Sequence, residues 1–255
     1  MSIDKAIVLV PSDGVILLAL ALGLILLLKP SLLIRRVLAP LFPRVLFCGD
    51  PSRPQLAITI DDGPSGPGSW QLLTLLDELQ VPATLFLISG HLERTRPGFV
   101  REAVAAGHRI GHHMAEDRIS AHLDAETFRE QFEEAVRQLR QAAGTPRLDL
   151  RWFRPGGGWF SSTMLGTIGE KGFRLVLGSV FPWDTLHPPA RYLRWFVLNN
   201  AHPGGILVLH DRPDTIAATL STLRAVVPEL QRRGYRFTTL DAMVEDSGGR
   251  IRTCR

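Results

Sequence analysis

Leu56-Ala57-Ile58-Thr59-Ile60-Asp61-Asp62-Gly63-Pro64 is the stretch on which the fold turns. Its five leading residues form a short run, mostly apolar and β-branched, that reads as a buried strand, and Gly63-Pro64 stops it. Two adjacent carboxylates are therefore left at a strand's C-terminal end. In α/β folds that end is where ligands and catalytic groups collect. Taken alone, Asp-Asp-Gly-Pro is also an ordinary surface turn, so the rest of the chain has to decide.

Outward from this strand, strand and helix patterns alternate. Strands are expected at Leu56–Ile60, Ala83–Ile88, His108–His113, Arg151–Phe153, Arg174–Val180, Ile206–Leu209 and Tyr235–Leu240. Helices are expected at Ser69–Leu79, Pro97–Ala106, Asp124–Ala143, Thr163–Lys171, Arg191–Asn199 and Asp214–Arg233. Asp124 and Gly144 bracket the third of these, and Phe128, Phe132, Ala135 and Leu139 are spaced for one buried stripe. Seven strands separated by helices imply parallel pairing with right-handed crossovers. The expected fold is an α/β barrel of the (β/α) type, with an open doubly wound sheet as the alternative.

The chain has 255 residues, 45% hydrophobic, with a formal net charge of +4. Three parts are expected: a membrane anchor over 1–47, a catalytic domain over 48–246, and a basic tail over 247–255. Val15 to Leu28 carries no polar side chain and reads as a single anchoring helix, although 14 residues fall short of the ~20 of a full span. A buried core helix and a cleaved signal peptide are the alternatives. Ser31–Phe47, apolar but carrying Arg35, Arg36 and Arg44, reads as an interfacial segment. Positive charge is heavier after the anchor than before it, which by the positive-inside rule puts the domain in the cytoplasm. The terminal basic clusters suit anionic headgroups rather than nucleic acid, because no aromatic stripe is interleaved with them. Cys48 and Cys254 have no metal-ligand spacing; two free thiols are expected, with a clasp between the ends of the domain as the alternative.

The polar residues gather at strand ends. Asp61 and Asp62 follow the first expected strand, His112 and His113 the third, Arg154 the fourth, Asp184 the fifth, and His210 and Asp211 the sixth. Each has a bland explanation as a cap, a core histidine or a surface pair, but together they describe one barrel mouth. His113 and Asp117 are four apart and would share a face if the segment between them is helical. With Asp62 they would hold one divalent ion, Zn²⁺ first and Mn²⁺ or Co²⁺ as alternatives. Such an ion activates water and polarises a carbonyl. Asp61 is then free as general base, Arg154 is placed to orient it, and His210 is placed to protonate a leaving group. No serine nucleophile elbow and no phosphate-cradling loop is present. The Gly156-Gly157-Gly158 run reads as backbone that approaches substrate closely, with Gly157 at its centre. Trp152, Trp159 and Trp183 either stack on sugar rings or pack in the core or rim.

These motifs resemble the polysaccharide deacetylase (NodB-homology) family, carbohydrate esterase family 4, over Gln55 to Asp241. Thr59-Ile60-Asp61-Asp62-Gly63-Pro64 resembles the family's first motif, Gly107-His108-Arg109-Ile110-Gly111-His112-His113 its second, Phe153-Arg154-Pro155-Gly156-Gly157-Gly158 its third, and Leu207-Val208-Leu209-His210-Asp211 its last. The resemblance implies a distorted (β/α)₇ barrel and metal-dependent removal of N- or O-acetyl groups from a sugar polymer or glycolipid. It implies Asp61 as base, Asp62 and His113 as ligands, and His210 as acid. Val180-Phe181-Pro182-Trp183-Asp184 matches a fourth motif loosely and offers Asp184 to orient His210. A second histidine is usual four residues after the first; here Asp117 stands there, with Glu116 and His122 as substitutes. The competing reading is a catalytically inactive, membrane-tethered carbohydrate-binding member of the fold. The resemblance places the domain outside the cytoplasm, against the charge bias. A cytoplasmic domain would favour a lipid-linked sugar at the inner leaflet.

Overall fold

The structure is a computed structural model that describes residues 13–245 and Cys254. Its centre is one parallel sheet of eight strands: β1 (Val45–Leu46), β2 (Gln55–Asp61), β3 (Ala83–Leu87), β4 (Arg109–His112), β5 (Trp152–Phe153), β6 (Arg174–Val176), β7 (Gly205–His210) and β8 (Arg236–Thr238). The order is β1-β6-β5-β4-β3-β2-β7, and β8 pairs with Gln55–Ala57 of β2. β3 takes up only Ile58–Asp61, so β8 lies below it against β2.

The sheet curls. Past β6 the chain reaches β7, where Val180 bridges Leu207. There the Ser179 and Val180 amides donate to the Ile206 carbonyl at 3.1 and 3.0 Å, and Val208 donates back to Val180 at 2.9 Å. Gly178 makes this approach with φ +146, and a Cβ there would press on Val208. The expected strand Arg174–Val180 is thus broken in two, and only its first half is ladder.

Every residue of β2 is buried, as a strand covered on both faces requires. Ile58 and Ile60 face the main core, which lies under the helices. Ala57 faces a smaller cluster inside the curl, with Leu46, Phe86, Trp152, Val176 and Ile206. Trp152 is therefore core, one of the two roles left open for it. The helix Ala125–Ala142 forms as its pattern demands. Asp124 accepts from the Glu126 and Thr127 amides at 3.0 and 2.9 Å, and Phe128, Phe132, Ala135 and Leu139 are buried.

Two expectations need correction. The expected interfacial segment ends in Val45, Leu46 and Phe47, yet all three are buried and Val45–Leu46 pairs with β6; two residues are too few to display a strand period. Cys48 and Cys254 are joined in a disulfide with Cα atoms 5.6 Å apart, and both are buried, so neither is the expected free thiol. The rest of the tail, with Arg250, Arg252 and Arg255, lies outside the described residues, as does the chain before Asp13.

At the N-terminal side, Asp13–Leu28 is a helix of 16 residues. No single described helix is long and apolar enough to cross a membrane, though Gly14–Ile25 and Pro30–Leu41 pass that test as a pair bent by 98°.

Candidate active site

The strand ends bring three polar pairs to one mouth. β2 and β7 pair in register so that Asp61 lies beside His210, and β3 puts Phe86 on the other side of Asp61. Asp61 is the last residue of its strand. Asp62 then takes φ 69, the left-handed region that few non-glycine residues adopt, and this turn swings a second carboxylate into the same mouth. That backbone position explains how two sequential aspartates serve one cleft.

Arg154 is the buried hub. It enters on the turn after β5, and its Nη1 donates to Asp61 Oδ1 at 2.6 Å and to Thr59 Oγ1 at 2.8 Å. Its Nε and Nη2 donate to the Val176 and Leu177 carbonyls. The guanidinium lies 4.2 Å from the Phe86 ring centroid. Burial lowers its pKa, and the Asp61 charge and hydrogen bond oppose that. Asp61 is thereby held in one orientation by a fully engaged cation.

β4 alternates its histidines. His112 turns into the core, stacked on Phe132 at 4.2 Å, donating through Nε2 to the Phe132 carbonyl and accepting at Nδ1 from the Met114 amide. Burial pushes it down to about 4, so it is a neutral packing residue. His113 turns to the mouth. Its Nδ1 donates to the Arg154 carbonyl at 2.5 Å, which directs Nε2 to Asp62 Oδ1 at 3.2 Å. Burial alone would lower the His113 pKa, but the Asp62 bond and the Asp61 and Asp62 charges raise it. Burial would likewise raise Asp62; the His113 hydrogen bond and charge, with His210 and Arg212, hold it at about 2.

The third pair is His210 with Asp184. Asp184 is fully buried and accepts from the His210 backbone amide through Oδ2 and from its Nδ1 through Oδ1, both at 2.9 Å. Two bonds fix the ring and leave Nε2 toward the mouth. Burial would lower the His210 pKa, but Asp184, and then Asp61 and Asp62, raise it to about 9.

Asp117 does not converge with Asp62 and His113. Met114 takes φ 64, and the chain from there to Leu123 forms bends and turns rather than a helix, so four-residue spacing does not put His113 and Asp117 on a common face. Asp117 Oδ2 is instead 3.1 Å from Arg212 Nη1, and the same Nη1 is 3.6 Å from Asp62 Oδ2. A guanidinium stands between the two carboxylates that the spacing leads one to expect around a shared ion. Glu116 pairs with Arg118, and His122 is exposed, so neither replaces Asp117. Among the described residues no three His, Cys, Asp or Glu side chains are grouped to hold a metal. Asp62 and His113 supply two suitable donors; the three-donor set does not fit.

Arg212, His91 and Ser65 were not singled out in the sequence. His91 donates through Nδ1 to the Asp62 carbonyl at 2.8 Å, and Ser65 donates to Asp211 at 2.5 Å. Asp62, His91, Asp117, Asp211, Arg212 and Asp214 line a cavity of about 300 Å³. A larger groove, lined by Glu133, Arg137, Arg140 and Lys171, lies on the helical flank and contains none of the strand-end residues. Gly157 has φ +64 and sits under Trp159, which is 65% exposed, while half-buried Trp183 packs edge-on against Phe181 at 4.7 Å.

A curled parallel α/β sheet with Asp–Arg, Asp–His and His–Asp pairs at its strand ends brings the groups of acid–base hydrolysis to one mouth. The polysaccharide deacetylase family model matches residues 49–176. The chain is 30% identical over 191 residues to a peptidoglycan-N-acetylglucosamine deacetylase of Bacillus cereus, covering 74% of this chain and 87% of that one. Among solved structures it matches a peptidoglycan N-acetylglucosamine deacetylase in complex with an N-hydroxybenzamide at 27% identity and TM-score 0.73, over 78% of this chain and 92% of the other. It also matches a family 4 acetyl xylan esterase of Clostridium thermocellum in complex with cobalt at 27% identity and TM-score 0.70, over 77% and 93%. The chain belongs to the polysaccharide deacetylase family, carbohydrate esterase family 4, whose named relatives here include deacetylases, hydrolases of carbon–nitrogen bonds other than peptide bonds, and which is generally metal-dependent.

Proposed function

We propose that this protein removes acetyl groups from an acetylated carbohydrate, N-acetyl in the first place and O-acetyl in the second. The observation that carries the proposal is the register of Asp61 beside His210, each fixed by its own buried partner, Arg154 and Asp184. Asp61 accepts a proton from the attacking water as its oxygen bonds to the acetyl carbon. His210, protonated at neutral pH, delivers a proton to the amine as the carbon–nitrogen bond breaks. The products are acetate and the free amine. Arg154 and Asp184 act through these two residues by holding their orientation. Gly157, Trp159 and Trp183 border the sugar, Trp159 offering an exposed ring face.

A divalent ion, Zn²⁺ or in its place Mn²⁺ or Co²⁺, would activate water and polarise the acetyl carbonyl. Asp62 and His113 are the donors present for it, and Arg212 would have to withdraw from Asp62. The Arg212 position is also what favours the second reading, an inactive carbohydrate-binding member. We further read the apolar helix Asp13–Leu28 as a membrane tether for the full chain. The deciding experiment is acetate release by the metal-analysed protein from N-acetylglucosamine oligomers and acetyl xylan. Release abolished by Asp61→Asn supports the hydrolase. Sugar binding without release, at any ion supplied, establishes the binding reading.

A further inference from the structure

The tether and the mouth sit at opposite ends of the domain. Asn199 and Asn200 end the helix Ala190–Asn200, which feeds into the N-terminal end of β7. The end of the Asp13–Leu28 helix is bonded there. Lys29 Nζ donates to the Asn199 carbonyl at 2.6 Å, Asn200 Nδ2 donates to the Leu28 carbonyl at 3.1 Å, and Ser31 donates to Asn200 Oδ1 at 3.2 Å. His210, in the mouth, is at the other end of the same strand. Gly205 to His210, at about 3.3 Å per residue, puts roughly 17 Å between the two ends of the strand.

Above that junction the helix offers its side chains to solvent. Val15, Leu17, Leu20, Leu24 and Leu27 are 50–66% exposed. A helix apolar all round is satisfied in lipid, not on a protein surface. The surface beside its attachment carries Arg53, Arg233 and Arg236, exposed at the N-terminal ends of β2 and β8, with Arg233 paired to Glu229 at 2.8 Å; exposed cations of this kind suit anionic headgroups. The mouth is of mixed charge: Asp61 pairs with Arg154, and Asp62, Asp117 and Asp214 surround Arg212.

The Cys48–Cys254 disulfide bears on the side of the membrane. It joins residues 206 apart in sequence and is buried at both ends. Structural disulfides of this kind persist in oxidising compartments and are rare in the cytosol. That covalent requirement outweighs the charge bias around the tether, which is a statistical preference.

Resting on the tether reading, we propose that the strand-N-terminal end of the domain faces the bilayer on its oxidising side, so that the mouth points away from the headgroups toward acetylated glycan in the aqueous phase. A sugar carried on a lipid at the bilayer surface would then lie under the wrong end of the domain.

The test uses the full chain with its disulfide intact, reconstituted in phosphatidylcholine/phosphatidylglycerol vesicles doped with headgroup-nitroxide lipid. One dye is attached at Gln231→Cys, exposed at the base before β8, and another, in a separate protein, at Leu186→Cys, 71% exposed on the mouth side. Strong quenching at 231, several-fold above that at 186, is expected. Equal or stronger quenching at 186 overturns the orientation alone. Failure of the chain to float with the vesicles overturns the tether and the orientation together. Thiol trapping under acid denaturation in native host cells, followed by reduction and a second label, should place the second label on both cysteines. The first label on Cys48 and Cys254 overturns the oxidising side. None of these readouts depends on deacetylase activity.

Discussion

Asp184→Asn should move the basic limb of the pH–rate profile. In the folded protein His210 stands at about 9; its burial opposes this, and the Asp184 bond and charge lead the groups that raise it. The displacement from 6.5 to about 9 is worth roughly 3 kcal/mol at about 1.4 kcal/mol per tenfold change. Because the folded-state pKa is the raised one, this stability is fully present below pH 6.5 and is lost as pH rises through 9. Asparagine keeps the shape and removes the charge. Burial is then opposed only by the Asp61 and Asp62 charges, and His210 should fall to about 6.5. At about pH 7.5 its protonated fraction drops from nearly complete to about a tenth, so acetate release should fall roughly tenfold and recover below about pH 6. The assays are acetate release from N-acetylglucosamine oligomers between about pH 5 and pH 10, and an imidazole ¹⁵N titration of His210, which needs no substrate. A basic limb and an imidazole titration both still near 9 in the variant would refute the reasoning.

Three further outcomes are expected. Asp61→Asn should cut turnover by about 10²–10⁴ with the circular dichroism of the parent, since Arg154 keeps its bonds to Thr59, Val176 and Leu177; near-parent turnover would remove Asp61 from the base role. Arg212→Gln should bind Zn²⁺ at least about tenfold more tightly, about 1.4 kcal/mol, in calorimetry on the apo-protein, because the guanidinium no longer competes for Asp62 and Asp117; unchanged affinity means that Arg212 does not obstruct the ion. Reduction of Cys48–Cys254 should lower unfolding free energy by about 2–5 kcal/mol in urea, since the bond closes nearly the whole domain into one loop; a denaturation curve indifferent to reductant would contradict this.

Much of the mouth was legible because strand ends are. The run Leu56–Ile60 and its stop at Gly63-Pro64 place Asp61 and Asp62 wherever the strand goes, and His113, Arg154 and His210 follow from the same rule. Once the strands are parallel and in one sheet, their C-terminal ends share a side. His112 was not separable from His113 by position alone; the two-residue period put one in the core and one in the mouth, but only packing against Phe132 fixed which.

The sequence alone determined the alternation of strands and helices, the parallel sheet it implies, and the acidic, basic and imidazole groups at its strand ends, because hydrophobic period and turn residues act locally. What tertiary structure decided is nonlocal. The rule that placed His113 and Asp117 on one face assumed a helical turn, and the left-handed Met114 removes it. Arg212 came between Asp62 and Asp117 through a residue nearly a hundred positions from Asp117. Val45–Leu46 became a strand only because β6 offered an edge. Cys48 met Cys254 because the sheet brings the two ends of the domain together, and no spacing in the chain encodes a contact across 206 residues.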